Sequence, residues 1–127
     1  MDDECWSRIL QRLHEPEAAS GPPLAVAFVD AEAYAARRGT AWLWWPGSRA
    51  KTQGAVAFAG EFPPDWGLLL VMNEQATERI CTEGTACMAR LARLLDIKPF
   101  VLRERDALDA GGVLEFIEDL ELATPKH

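Results

Sequence analysis

Trp66-Gly-Leu-Leu-Leu-Val-Met72, followed at once by Asn73, is the stretch whose reading decides the fold. An apolar run of this length without polar alternation marks a strand buried on both faces, so it belongs in the middle of a sheet. Asn73 can cap a helix, and the helix signal that follows is the strongest in the chain. Ile80, Gly84, Cys87, Met88, Leu91, Leu94 and Leu95 fall on one helical stripe. The pattern predicts one long helix over about 74–96, stopped by Pro99. Gly84 in mid-helix costs about 1 kcal/mol against alanine, which asks for close packing on that face.

Upstream, Trp6, Ile9, Leu10 and Leu13 share one helical face, and Pro16 ends that pattern. This predicts an N-terminal helix. Leu24 to Val29 reads as a largely buried strand, and Asp30 can cap a two-turn helix that ends before Gly39. On this reading Arg37 and Arg38 lie in the last turn, where cations favour the helix dipole. Thr40–Trp45 and Ala55–Ala59 read as a hairpin around Pro46-Gly47, with Arg49 and Lys51 at its tip. Phe100–Leu102 is a short strand. Residues 113–122 fit helix or strand, with helix preferred.

These elements predict a single α+β domain over residues 1–127. A mainly antiparallel sheet of four to five strands would carry the N-terminal helix and the 74–96 helix. A parallel pair between 67–72 and 100–102 is conceivable, joined through the long helix.

Composition bounds the function. The chain has 127 residues and a formal net charge of -7, which opposes generic duplex DNA or anionic membranes. Its longest uninterrupted apolar run, Leu24–Val29, is six residues, far short of the roughly 20 a membrane span needs. The N-terminus, Met1-Asp2-Asp3-Glu4, is acidic where a leader would be basic, so a cytoplasmic location is expected. Cys5, Cys81 and Cys87 make an odd count, and reduced thiols are expected. A Cys81–Cys87 bridge is excluded on one helix, because six helical residues span about 9 Å and a disulfide needs less than about 7 Å.

Little in the chain carries catalysis. Neither a phosphate-cradling glycine loop nor a metal-ligand cluster occurs, so no cofactor and no metal is expected. His14 and His127 are the only histidines, one in a helical last turn and one at the terminus. Cys81 and Cys87 read as structural thiols, and Glu74, Glu78 and Glu83 as a solvated helix face.

One feature stands apart. Between Ala33 and Gly60 lie Arg37, Arg38, Arg49 and Lys51 with no acidic partner except across the chain, and Trp42, Trp44 and Trp45 sit among them. Aromatic faces beside cations suit single-stranded nucleic acid or another anionic ligand. Apolar residues on both faces of the 40–45 strand suit burial, in the core or against another protein. The leading expectation is a non-catalytic interaction domain that forms a homodimer or binds another protein, with these seven residues as the interface candidates. Ligand or single-stranded nucleic-acid binding is the first alternative. A small enzyme using a cysteine or a carboxylate pair is the second.

Overall fold

The computed structural model describes residues 21–46, 53–83 and 87–120. In chain order these form β1 (Ala25–Asp30), α1 (Ala31–Ala36), β2 (Thr40–Trp44), β3 (Gln53–Ala57), β4 (Trp66–Met72), α2 (Glu74–Glu83), α3 (Met88–Arg93), β5 (Ile97–Val101), α4 (Arg105–Ala110) and α5 (Leu114–Asp119). The architecture is α+β, built on one five-stranded sheet of order β3-β2-β1-β4-β5. The predicted N-terminal helix lies outside the described residues.

The sheet is mixed rather than mainly antiparallel. β1, the middle strand, and its neighbour β4 run parallel from the Ala25–Trp66 pair to the Asp30–Met72 pair. The pairs β1–β2, β2–β3 and β4–β5 are antiparallel. Both β1 and β4 are buried on both faces, which is why neither shows polar alternation.

The expected long helix is two helices, α2 and α3, and this break changes the topology. A single helix after β4 would return the chain to the start of that strand and deliver a parallel neighbour. Here α3 brings the chain back to the end of β4 instead. Ile97 pairs with Met72, and the Asn73 amide donates to the Asp96 carbonyl at 3.0 Å. β5 is therefore antiparallel to β4, not parallel to it. The apolar stripe divides accordingly. Ile80, Met88 and Leu91 are buried in one layer, whereas Leu94 and Leu95 are 61% and 65% exposed. α3 ends with Leu95 at φ 64°, and the Asp96 amide reaches back to the Leu91 carbonyl at 3.0 Å. That is the left-handed helix ending usually given to glycine.

Each face of the sheet has its own apolar layer. In the first, Val26, Phe28, Trp44, Leu68, Leu70 and Met72 meet Ile80, Leu91, Leu108 and Ile117 from the helices. In the second, Ala27, Val29, Leu43, Trp45, Trp66, Leu69 and Val71 pack with Ala33 of α1 and with Phe58, while Tyr34 flanks them. The second face is thus covered by the chain itself, through α1 and the segment after β3. Tyr34 stacks between Phe58 at 6.3 Å and Phe100 at 5.7 Å, and Phe58 stacks on Trp66 at 6.4 Å. Arg103 pins the same segment, donating to the carbonyls of Pro64 at 2.9 Å and Pro63 at 3.1 Å.

The cysteines also differ from expectation. Cys81 is disulfide-bonded, and Cys87 is a thiol. Burial, followed by the nearby Glu83 charge, pushes the Cys87 thiol above its ordinary range. A raised thiol is a poor nucleophile at neutral pH. Among the described residues, no helix is long and apolar enough to cross a membrane.

Candidate functional site

The described residues of the basic, aromatic segment do not share a surface. α1 ends at Ala36, so Arg37 and Arg38 follow the helix rather than sitting in its last turn. Asp30 caps the other end, its Oδ1 accepting from the Ala33 amide at 2.8 Å. Arg37 is the C-cap at φ 55°, and the Arg38 amide donates to the Ala33 carbonyl at 3.2 Å. The stem of Arg37 lies across Gly60, where a Cβ would stand 3.0 Å from its Cγ and Cδ. Gly60 itself sits at φ 84°, so both its conformation and its missing side chain are used.

The three indoles diverge. Trp44 is buried in the first layer, edge-on to Phe116 with ring centroids 5.0 Å apart. Trp45 is buried in the second layer. Trp42 is half-buried against the first layer, opposite Ala55 of β3. Strand alternation explains the split, since neighbouring side chains point to opposite faces. Stacking on Trp44 or Trp45 would require opening the core. Arg49 and Lys51 lie outside the described residues.

Two other features could hold a partner or ligand. The first is a crevice at the C-terminal ends of β1 and β4. The helices that follow these parallel strands leave to opposite faces, since Ala33 of α1 lies in the second layer and Ala76 of α2 in the first. Such a switch point is where open α/β sheets bind ligands. A cavity of about 330 Å³ opens here, lined by Asp30, Ala31, Glu32, Met72, Asn73, Glu74 and Thr77. Three of those residues are carboxylates and none is basic, so phosphates are repelled. The polar groups already have structural work. Asp30 caps α1, and Glu32 and Glu74 sit in first helical turns. The Asn73 Oδ1 accepts from the Ala76 amide at 2.8 Å, and its Nδ2 donates to the Asp96 Oδ1 at 2.9 Å. The Thr77 hydroxyl is buried and unpartnered.

The second feature is the edge of the sheet at β3. Among the described residues, β3 pairs with β2 on one side and ends the sheet on the other. Its sequence, Gln53-Gly-Ala-Val-Ala57, has no charge and no proline, and Ala55, Val56 and Ala57 are exposed. The opposite edge, β5, is different: it carries Lys98, exposed, and Pro99, which cannot donate a hydrogen bond. Charge and proline are standard protection for an edge strand, and β3 has neither. Sequence reading found the strand but not its place at the edge, because strand order is set by tertiary packing. The absence of any charged residue from 52 to 60 was the available signal.

No protein-family model matches the chain, and no curated protein matches it significantly. Among solved structures, the chain is similar to the stereoselective inverting sec-alkylsulfatase Pisa1 from Pseudomonas sp., at 10% identity and a TM-score of 0.43. The match takes in 82% of this chain but only 13% of that protein. A likeness this slight carries no argument about activity.

Proposed function

We propose that this chain is a non-catalytic protein-interaction domain that works as a homodimer. The observation supporting this reading is the open β3 edge, uncharged and exposed, in a sheet whose other edge is guarded. Edge strands left in this state take another strand, with backbone hydrogen bonds supplying affinity. The buried positions of Trp44 and Trp45 shift the interface away from the indoles and onto the neighbouring strand. Sedimentation velocity at roughly 10–50 µM, the scale of a moderate dimer affinity, tests the reading. A dimer is expected, and a monomer across that range refutes it.

The cellular setting is a separate question. The Cys81 disulfide fits an oxidising compartment, against the cytoplasmic expectation. Acid-quenched alkylation of the protein in its host decides between them, by whether Cys81 is trapped as a thiol.

A further inference from the structure

We infer that the strand taken up by β3 is β3 of a second copy, paired antiparallel about a twofold axis at Ala55. This rests on the homodimer reading above and names the surface through which the dimer forms. The two five-stranded sheets then join into one continuous sheet.

Three properties of β3 fit self-pairing. An isologous interface sets each residue against its symmetry mate, so any charge near the axis would face its like. Residues 53–57 contain none. A register centred on Ala55 sets Ala55 against Ala55, Gly54 against Val56, and position 53 against position 57. It uses the whole strand, and any other register uses less.

The third property is shape. Val56 opposes Ala41 of β2 and therefore shares the second-layer face with it, while Gly54 opposes Leu43 on that same face. Val56 is 40% exposed. In the dimer it lies across from the partner's Gly54. The place where Gly54 lacks a side chain is bounded by Trp45, whose Cζ3 and Cη2 stand 3.6 and 4.0 Å from an ideal Cβ. The valine of one copy thus settles beside the indole edge of the other, in space that a larger residue at 54 would fill. Twofold symmetry makes this contact twice. On the other face the strand offers Ala55 and Ala57, which add no steric bar.

Five paired residues make a small interface, below the roughly 1,200 Å² of a standard stable complex. The expected dissociation constant is therefore micromolar, which matches the concentrations chosen above.

The test uses the full chain. Ala55→Pro removes a donor at the axis, and Val56→Lys places a charge on the edge while leaving β2–β3 pairing intact. Each is expected to weaken the dimer at least about tenfold (one pK-sized step in affinity) with the circular dichroism spectrum unchanged. Should the proline variant misfold, the lysine variant alone decides. Register is read by cysteine cross-linking in a Cys87→Ser background. Directly opposed antiparallel residues have Cα atoms about 4.5–5.5 Å apart, inside the disulfide range of about 4.4–6.8 Å. Ala55→Cys is expected to form a covalent dimer under mild oxidation. Ala57→Cys is not, since position 57 faces position 53 and its own mate is four residues further along. A wild-type monomer would sink the homodimer reading and this inference together. A wild-type dimer that survives Val56→Lys undiminished, or that cross-links no better through Ala55→Cys than through Ala57→Cys, would overturn this inference alone.

Discussion

Gly111→Ala sets two physical effects against each other, and the structure says which wins. Gly111 caps α4 at φ -81°, ψ -4°, a conformation alanine adopts freely. Considered alone, the change should stabilise by about 0.4–1 kcal/mol through the unfolded chain. The new Cβ, however, would stand 2.6 Å from Leu24 Cγ, 2.8 Å from Leu24 Cδ1 and 3.0 Å from the Ala107 carbonyl oxygen. Leu24 has little room to retreat. It is buried, its amide donates to the Gly111 carbonyl at 3.1 Å, and it also packs against Gly67, where a Cβ would lie 3.2 Å from its own Cβ and Cδ1. Overpacking of this kind costs about 1–3 kcal/mol. The net expectation is a loss of about 1–2 kcal/mol. In urea, with a slope of about 1–3 kcal/mol per molar, the midpoint should fall by roughly half to one molar. Equal or higher stability would refute the reasoning. Leu24→Ala supplies a second check. Combined with Gly111→Ala it should cost clearly less than the two changes added, because the truncation removes the clash. Strict additivity would mean that the two residues do not meet.

Other consequences can be checked as directly. Each copy carries a net charge of -7 and the proposed interface carries none, so added salt should screen mutual repulsion and tighten the dimer. Binding of nucleic acid would weaken with salt instead, and sedimentation at two ionic strengths separates the cases. Iodoacetamide should label Cys87 slowly near neutral pH and leave Cys81 unlabelled until a reductant is added, as peptide mass mapping would report. Because folding raises the Cys87 pKa, the unfolded chain loses that proton first as pH rises. This contribution to stability is therefore intact below the ordinary thiol pKa and declines above it. Stability measured from neutral to alkaline pH should lose that component in a Cys87→Ser variant. Asn73→Ala removes the α2 cap and the tie to Asp96, and should cost about 1–2 kcal/mol by denaturant unfolding.

Local chemistry was legible in the sequence wherever a residue acts on its near neighbours. Asp30 and Asn73 cap the helices that their positions suggested. Trp66–Met72 is an interior strand and wholly buried, as its uninterrupted apolar run implied. Trp42 and Trp44 face one layer and Leu43 and Trp45 the other, as alternation requires. What failed depended on contacts remote in sequence. The 74–96 stripe keeps a helical period across the break, because α2 and α3 bury their apolar faces in the same layer. Periodicity alone does not show where one helix ends and the next begins when both bury the same face. The second layer leaves little trace in the sequence because its cover is a two-turn helix and an irregular segment around Phe58, neither of which has a long apolar stripe. The Cys81 disulfide is not legible in the sequence because an odd cysteine count fits either a reduced set or one bridge beside a free thiol.

The break between α2 and α3 also explains why the two edges of the sheet differ. By returning the chain to the C-terminal end of β4, it makes β5 an antiparallel edge strand held at its start by the Asp96–Asn73 contacts. A strand in that place must accommodate Lys98 and Pro99, and an edge accommodates both without losing a central ladder. The other edge comes from a hairpin, where pairing with β2 alone satisfies one side of β3. Nothing on β3 itself discourages a further strand: residues 53–57 are neutral, although Arg49 and Lys51 precede them in the sequence and Glu61 follows. A monomer gains solubility from charge on such an edge and loses nothing by it. Neutrality over residues 53–57 has a benefit only if the edge is covered, and a twofold partner covers it with the same five residues.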